Sequence, residues 1–321
     1  MKFFVTGAAG FIGSHICDRL LEDKSCEVVA YDNLSTGNLR FLEKAQATGR
    51  LKFIEGDLLD TERLNSAMSG CGFVFHFAAN ADIRRGLEHP RKDLEQNTIA
   101  TFNVLEAMRQ NKADKIAFPS TGPVYGEAEV IPTPESYAGV QTSLYGASKL
   151  ACEGLISAYC EGFGFRAYIF RFVSILGERY PHGHVIDFYE QLRRDPSKLR
   201  ILGDGNQKKS YLYIGDCLNA IFTIIEKARE KVNIYNLGVD DYCLVRDSAK
   251  WICEEMGVSP AFEFTGGDRG WVGDNPFIYL DVKKLMSLGW APELTIEQSV
   301  KRTTRYLIEN PWVADFRFAA E

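Results

Sequence analysis

With 321 residues, 45% hydrophobic content and a formal net charge of −6, the chain suits a globular protein of two domains, or of one large domain with an appendage. The acidic balance, without any basic run interleaved with aromatics, excludes a nucleic-acid partner, and no apolar run is long enough to span a bilayer. Eight cysteines form no C-x-x-C pair and no His/Cys ligand spacing, so they read as reduced thiols of a cytoplasmic protein, with no metal site.

The N-terminus opens directly on a strand pattern rather than on the apolar core of a signal peptide. Lys2-Phe3-Phe4-Val5-Thr6 predicts a buried strand running into Gly7-Ala8-Ala9-Gly10-Phe11-Ile12-Gly13, after which Ile12 to Leu21 turns helical. Glycines at a strand-to-helix junction let backbone amides approach a pyrophosphate. Val28 to Asp32 predicts a second strand ending in an acid, nineteen residues after Gly13, where a carboxylate suits an adenosine ribose diol. No arginine follows at Asn33, Leu34 or Ser35, which favours NAD over NADP.

Further strands are expected at Leu51–Ile54, before Asp57, whose carboxylate suits an adenine amine, and at Phe73–Phe77, before Ala78-Ala79-Asn80. Leu94–Met108 has a helical apolar pattern, and Ile116-Ala117-Phe118 leads to Pro119-Ser120-Thr121 at a strand end. Alternating strands and helices indicate a doubly wound parallel sheet. Beyond Gly177 the pattern loosens. It predicts a strand and turn over 199–205, a helix capped by Asp216, a strand over 232–237, and helices over 245–256, 281–288 and 295–308. His182 and His184 read as loop residues rather than ligands. The expected architecture is a Rossmann-type domain over 1–170, with some later segments folding back onto it, and a smaller α/β domain over 171–321.

Tyr145-Gly146-Ala147-Ser148-Lys149 places a phenol and an amine four residues apart, on one helix face. A free tyrosine titrates near pH 10, and lowering it to about 7 takes about 4 kcal/mol. One positive charge about 5 Å away supplies about 3 kcal/mol at an effective dielectric near 20. Lys149 together with a nicotinamide ring would therefore suffice to make Tyr145 a base, and Thr121 adds a hydroxyl that relays a proton or fixes a substrate oxygen.

With TGAAGFIGSH, YDNLSTG, FHFAAN, STGPVYG, YGASK and LGWAP in this order, the chain resembles the extended short-chain dehydrogenase/reductases, and within them the NAD-dependent UDP-glucose 4-epimerases. The resemblance runs from Lys2 to about Leu307. It implies a Rossmann domain holding NAD and a C-terminal domain for a nucleotide sugar, most simply a UDP-hexose, in a homodimer. By motif, Gly7, Gly10, Phe11, Ile12 and Gly13 flank the pyrophosphate, Asp32 and Asn33 hold the ribose, and Asp57 and Leu58 border the adenine. Phe77, Ala78, Ala79, Asn97, Ser120 and Phe172 line the cofactor. Tyr145 is the base, Lys149 lowers its pKa and holds the nicotinamide ribose, and Thr121 occupies the Ser/Thr position. Thr121, Tyr145, Ser174, Lys209 and Arg269 face the substrate.

The chain departs from the family at three substrate positions. Ser174 replaces an asparagine, Lys209 replaces an arginine, and Ile278 falls near the position that gates N-acetylated sugars. Family dehydratases place Asp-Glu directly after the threonine and decarboxylases keep a glutamate at the second place, whereas here Gly122-Pro123 follow Thr121. A 4-epimerase is the expectation. Epimerases of UDP-GlcNAc, UDP-glucuronate or a heptose, a dehydratase or decarboxylase, and a non-catalytic NAD sensor are the alternatives.

Overall fold

The computed structural model describes residues 1–80, 86, 88–270, 275 and 277–319. The chain divides into two compact units. One comprises Met1–Ala128, Glu135–Phe172 and Ile221–Asn236; the other comprises Glu129–Pro134, Val173–Ala220 and Leu237–Glu321.

The first unit is built on strands β1 (Lys2–Thr6), β2 (Glu27–Asp32), β3 (Leu51–Glu55), β4 (Phe73–His76), β5 (Lys115–Thr121), β6 (Arg166–Phe172) and a seventh at Val232–Leu237. Across the sheet they run seventh strand, β6, β5, β4, β1, β2, β3, and every pairing from β6 to β3 is parallel. The order reverses between β1 and β4, which is where doubly wound sheets open a ligand crevice beyond the strand ends. The Rossmann-type expectation is met.

Helices α1 (Phe11–Leu20), α2 (Glu43–Gln46), α3 (Thr61–Ala67), α4 (Pro90–Asp93), α5 (Ala100–Asn111) and α6 (Leu144–Phe163) join these strands. Phe4, Val29, Val74, Ile116, Phe118 and Ile169 share one core with Leu64, Val104, Leu105 and Ile156 from α3, α5 and α6, and with Met68 just after α3. Phe3, Phe73 and Phe75 alternate with these; Phe73 stacks on Phe75, Phe3 meets both at steeper angles, and Phe75 meets Phe222 at 6.1 Å. Both faces are covered, so the strands read as continuous apolar runs.

The helix expected over 94–108 differs. It starts at Pro90 in α4, passes through a π-helical segment at Leu94–Ile99, and becomes α5 at Ala100. The wider π turn shifts the helix face, leaving Leu94, Ile99 and Phe102 exposed and Asn97 buried.

The second unit contains smaller sheets. Ser174–Leu176 pairs in parallel with Tyr211–Tyr213, and Lys198–Ile201 with Ala261–Phe264. Lys208–Lys209 lies between Cys243–Leu244 and Phe277–Ile278. Its helices are α7 (His184–Arg194), the start of α8 (Ile214–Lys227), α9 (Val245–Met256), α10 (Lys283–Met286), α11 (Ile296–Glu309) and α12 (Trp312–Ala319), with α7, α9 and α11 packed together. Asp216 does not cap α8, which already begins at Ile214. Its carboxylate instead accepts from the backbone N–H groups of Glu293 and Leu294 at 3.0 and 3.2 Å. The helix expected over 281–288 is the single turn α10, beside Asp281, which accepts from the Lys283 N–H. Among the described residues, no helix is long and apolar enough to cross a membrane.

Candidate active site

The glycine loop between β1 and α1 divides its labour. Gly7 has φ +65°, and a Cβ there would lie 2.6 Å from the Ala78 N; a Cβ on Gly13 would lie 2.0 Å from the Gly7 carbonyl. Both glycines are demanded by the protein's own packing. Gly10, the N-cap of α1, has no side-chain cap, and a Cβ there would meet only the Gly7 carbonyl, at 3.1 Å, among the described residues. That open side at a helix N-terminus fits a dinucleotide pyrophosphate. Phe11 is buried against the His15 ring, and Ile12 is half-buried.

Asp32 ends β2 almost buried, and burial pushes its carboxyl pKa up against two backbone hydrogen bonds. Its oxygens accept from Ala9 N at 2.9 Å and Leu34 N at 2.8 Å, which ties the acid to the glycine loop. Asn33 donates to the Asp57 carboxylate at 2.9 Å, so these two residues form one wall, while the Leu58 side chain belongs to the core.

At the ends of β1 and β4, Thr6 Oγ1 accepts from the Ala78 N–H at 3.2 Å and meets His76 Nδ1 at 2.7 Å; His76 Nε2 meets Thr101 Oγ1 at 3.0 Å. Burial, with the Lys149 charge adding to it, lowers the His76 pKa to about 3, so the ring is neutral. Phe77, Ala78 and Ala79 follow this network, half-buried. Asn97, expected beside the cofactor, is buried and hydrogen-bonded within the protein. Its side chain accepts from Asn80 N at 2.8 Å and donates to Ser148 Oγ at 2.9 Å, joining the π segment to α6.

Ser143 caps α6 by accepting from Gly146 N at 3.0 Å, which fixes the turn carrying Tyr145. The Thr121 side chain lies close enough to the Tyr145 phenol to lower its pKa, which brings the two expected catalytic hydroxyls together. Lys149, 2% exposed, holds its ammonium 3.9 Å from the centroid of the Phe118 ring. Among the described residues no hydrogen-bond acceptor takes its protons. Burial lowers the Lys149 pKa to about 8, against the opposing pull of Cys152 and Glu153.

The expected base strength of Tyr145 does not arise from the protein alone. Burial pushes the phenol up to about 12; the Thr121 side chain lowers it and Asp93 raises it further. Desolvation of the phenolate outweighs what the chain's own groups supply.

Sequence reasoning missed a buried polar cluster behind Thr121. Ser120, expected to line the cofactor, donates its hydroxyl to Glu153, and Glu153 pairs with Arg171 at 2.7 Å. Tyr125 and Asn236 extend it through a 2.6 Å hydrogen bond. Glu153 continues the four-residue spacing of Tyr145 and Lys149, the signal that would have found it. Phe172 closes β6, buried and stacked on Phe170.

Of the expected substrate residues, Thr121 and Tyr145 belong to the first unit, and Ser174, Lys209 and Arg269 to the second. Ser174 is exposed at the start of its strand, in register with Tyr211. Lys209 donates to the Asn275 carbonyl at 2.7 Å and is in register with Ile278. Arg269 sits in the loop after Phe264, and residues 271–274 of its motif lie outside the described residues.

Residues 3–238 match the model of the NAD dependent epimerase/dehydratase family. The chain belongs to that family. It is therefore an enzyme of the epimerase/dehydratase class, with NAD as its cofactor. It is 31% identical to a UDP-glucose 4-epimerase of Corynebacterium glutamicum, over 97% of this chain and 95% of the relative. Among solved structures, a UDP-galactose 4-epimerase matches with TM-score 0.87 and 38% identity, covering 97% of this chain and 100% of the other. A Bacillus cereus UDP-glucuronic acid 4-epimerase, solved with a fluorinated UDP-glucuronic acid and NAD, matches with TM-score 0.88 and 26% identity, covering 96% and 99%.

Proposed function

We propose that this enzyme is a nucleotide-sugar 4-epimerase acting on a UDP-hexose of the glucose/galactose type. The observation that carries the reading is what surrounds Thr121. Its hydroxyl meets the Tyr145 phenol, and the next residues, Gly122 and Pro123, open a short 3-10 turn through Tyr125 that bears no acid. Glu127, the nearest following acid, is exposed beyond that turn. Groups for proton removal stand together, and among the described residues that directly follow Thr121 none is an acid or base for eliminating water or carbon dioxide. Relatives that bear 4-epimerase names support the same direction.

Gly7, Gly10 and Gly13 seat the pyrophosphate of NAD, Asp32 and Asn33 orient its ribose, and Lys149 holds the nicotinamide ribose. When bound, NAD supplies the hydride acceptor and a positive charge beside the phenol. Tyr145 takes the proton of the sugar's C4 hydroxyl and returns it after the keto sugar has turned, and Thr121 holds the C4 oxygen in line with the phenol. Ser174, Lys209 and Arg269 contact the nucleotide sugar.

The exposed Leu94, Ile99 and Phe102, with Leu150 and Phe163 on the adjoining α6, support a homodimer through this face. Eight free, buried thiols support a cytoplasmic location. Incubation with UDP-, GDP- and dTDP-sugars, with products identified by NMR, tests the reading. A C4 epimer of unchanged mass is expected, and a stable product lighter by water or carbon dioxide overturns it.

A further inference from the structure

Tyr145, Lys149 and Glu153 recur at four-residue spacing along α6 and so share one face. Glu153 is 4% exposed, and its carboxylate accepts from the Ser120 hydroxyl and from Arg171 Nε and Nη2 at 3.0 and 2.7 Å. Ser120 and Arg171 are in-register partners on β5 and β6, so their side chains leave the sheet on the same side. Arg171 Nη1 donates to the Tyr125 phenol oxygen and to the Glu135 carbonyl, both at 2.9 Å, and the guanidinium lies over the Tyr125 ring at 4.8 Å.

The segment carrying Thr121 is thus anchored on both sides. Ser120 precedes it, Tyr125 follows it, and both anchors meet one ion pair whose acid stands on the helix of Tyr145. A buried ion pair adds little net stability over an apolar filling of the same volume, so its contribution here is geometric. We propose that the Glu153–Arg171 pair is the positioning element of the active site, holding the Thr121 hydroxyl in register with the Tyr145 phenol. The proposal rests on the functional reading above, in which these two hydroxyls handle the C4 proton. Glu153 acts on Lys149 as well, since its charge opposes the deprotonating effect of burial.

Glu153→Gln leaves the buried Arg171 cation uncompensated and risks unfolding, so hydroxyl variants carry the test. Ser120→Ala and Tyr125→Phe each remove one anchor and keep the ion pair, and Ser120→Thr restores the first. Two quantities are read on the NAD-loaded protein: kcat and KM for the sugar turned over, and the ultraviolet titration of the Tyr145 phenol, with Tyr145→Phe as the blank. Misplacement of a catalytic hydroxyl costs on the order of tenfold to hundredfold in kcat. That loss is expected for Ser120→Ala with KM little changed. The phenol midpoint should rise by about one pH unit, the scale of one hydrogen bond to a charged group. Ser120→Thr should recover both. Parental kcat and midpoint in Ser120→Ala, or a loss that Ser120→Thr does not recover, overturns the proposal. Because the titration needs no turnover, a parent inactive on every sugar defeats the functional reading while the midpoints still judge the clamp.

Discussion

Burial and hydrogen bonding pull the Tyr145 phenol in opposite directions, and within the protein alone burial wins. The residue is therefore an acid form waiting for positive charge. Tyr145→Phe keeps the packed ring and deletes the proton carrier, so turnover should fall by about 10²–10⁴-fold, the usual contribution of a general acid–base group. NAD content and melting temperature should stay near parental values; a rate above about a tenth of the parent's would put the base elsewhere. His76 carries a second consequence. Its pKa falls from 6.5 to about 3 on folding, so between these values the unfolded chain binds the extra proton and stability declines as pH drops. Between pH 6.5 and 4.5 this loss amounts to about 2–3 kcal/mol. Denaturant titrations of the parent and of His76→Gln should show a correspondingly shallower acid loss in the variant. Parallel slopes would mean that His76 is not the group involved.

At the scale of elements, the β1–α1 junction separates packing from binding. Gly13→Ala drives a Cβ into the Gly7 carbonyl and should cost folding, whereas Gly10→Ala should fold and lose copurifying NAD. Melting curves and cofactor extraction check the pair; NAD retained by folded Gly10→Ala would remove Gly10 from the pyrophosphate cradle. The same junction explains what was legible in the sequence. Glycines, apolar runs and the Tyr145–Lys149 spacing are local patterns, and each announced its element. The π segment was not legible, because Leu94, Ile99 and Phe102 fit a helical stripe equally well whether or not a wider turn rotates them outward. Asp216 looked like a cap because a cap and a receptor for distant backbone N–H groups have the same composition; only the docking of Glu293 and Leu294 distinguishes them. The Ser120–Glu153–Arg171 cluster joins residues up to 51 positions apart and shows itself only once β5, β6 and α6 are assembled.

For the whole molecule, the first expectation is assembly. Exposed Leu94, Ile99 and Phe102 next to Leu150 and Phe163 predict that sedimentation reports a dimer and that Phe102→Glu shifts it toward monomer. A monomeric parent would leave this face without the proposed partner.

The eight thiols, each shut away from solvent, equip the chain with its own reporters of motion. An alkylating reagent can reach Cys17 in α1, Cys152 and Cys160 in α6, or Cys253 in α9 only when the surrounding element opens, so each cysteine's modification rate times one local unfolding event. Dinucleotide seated on the glycine loop would retard Cys17 while Cys253 keeps its own pace. A mass spectrum taken over time would then show how far a ligand's grip on one region of the chain is felt in another.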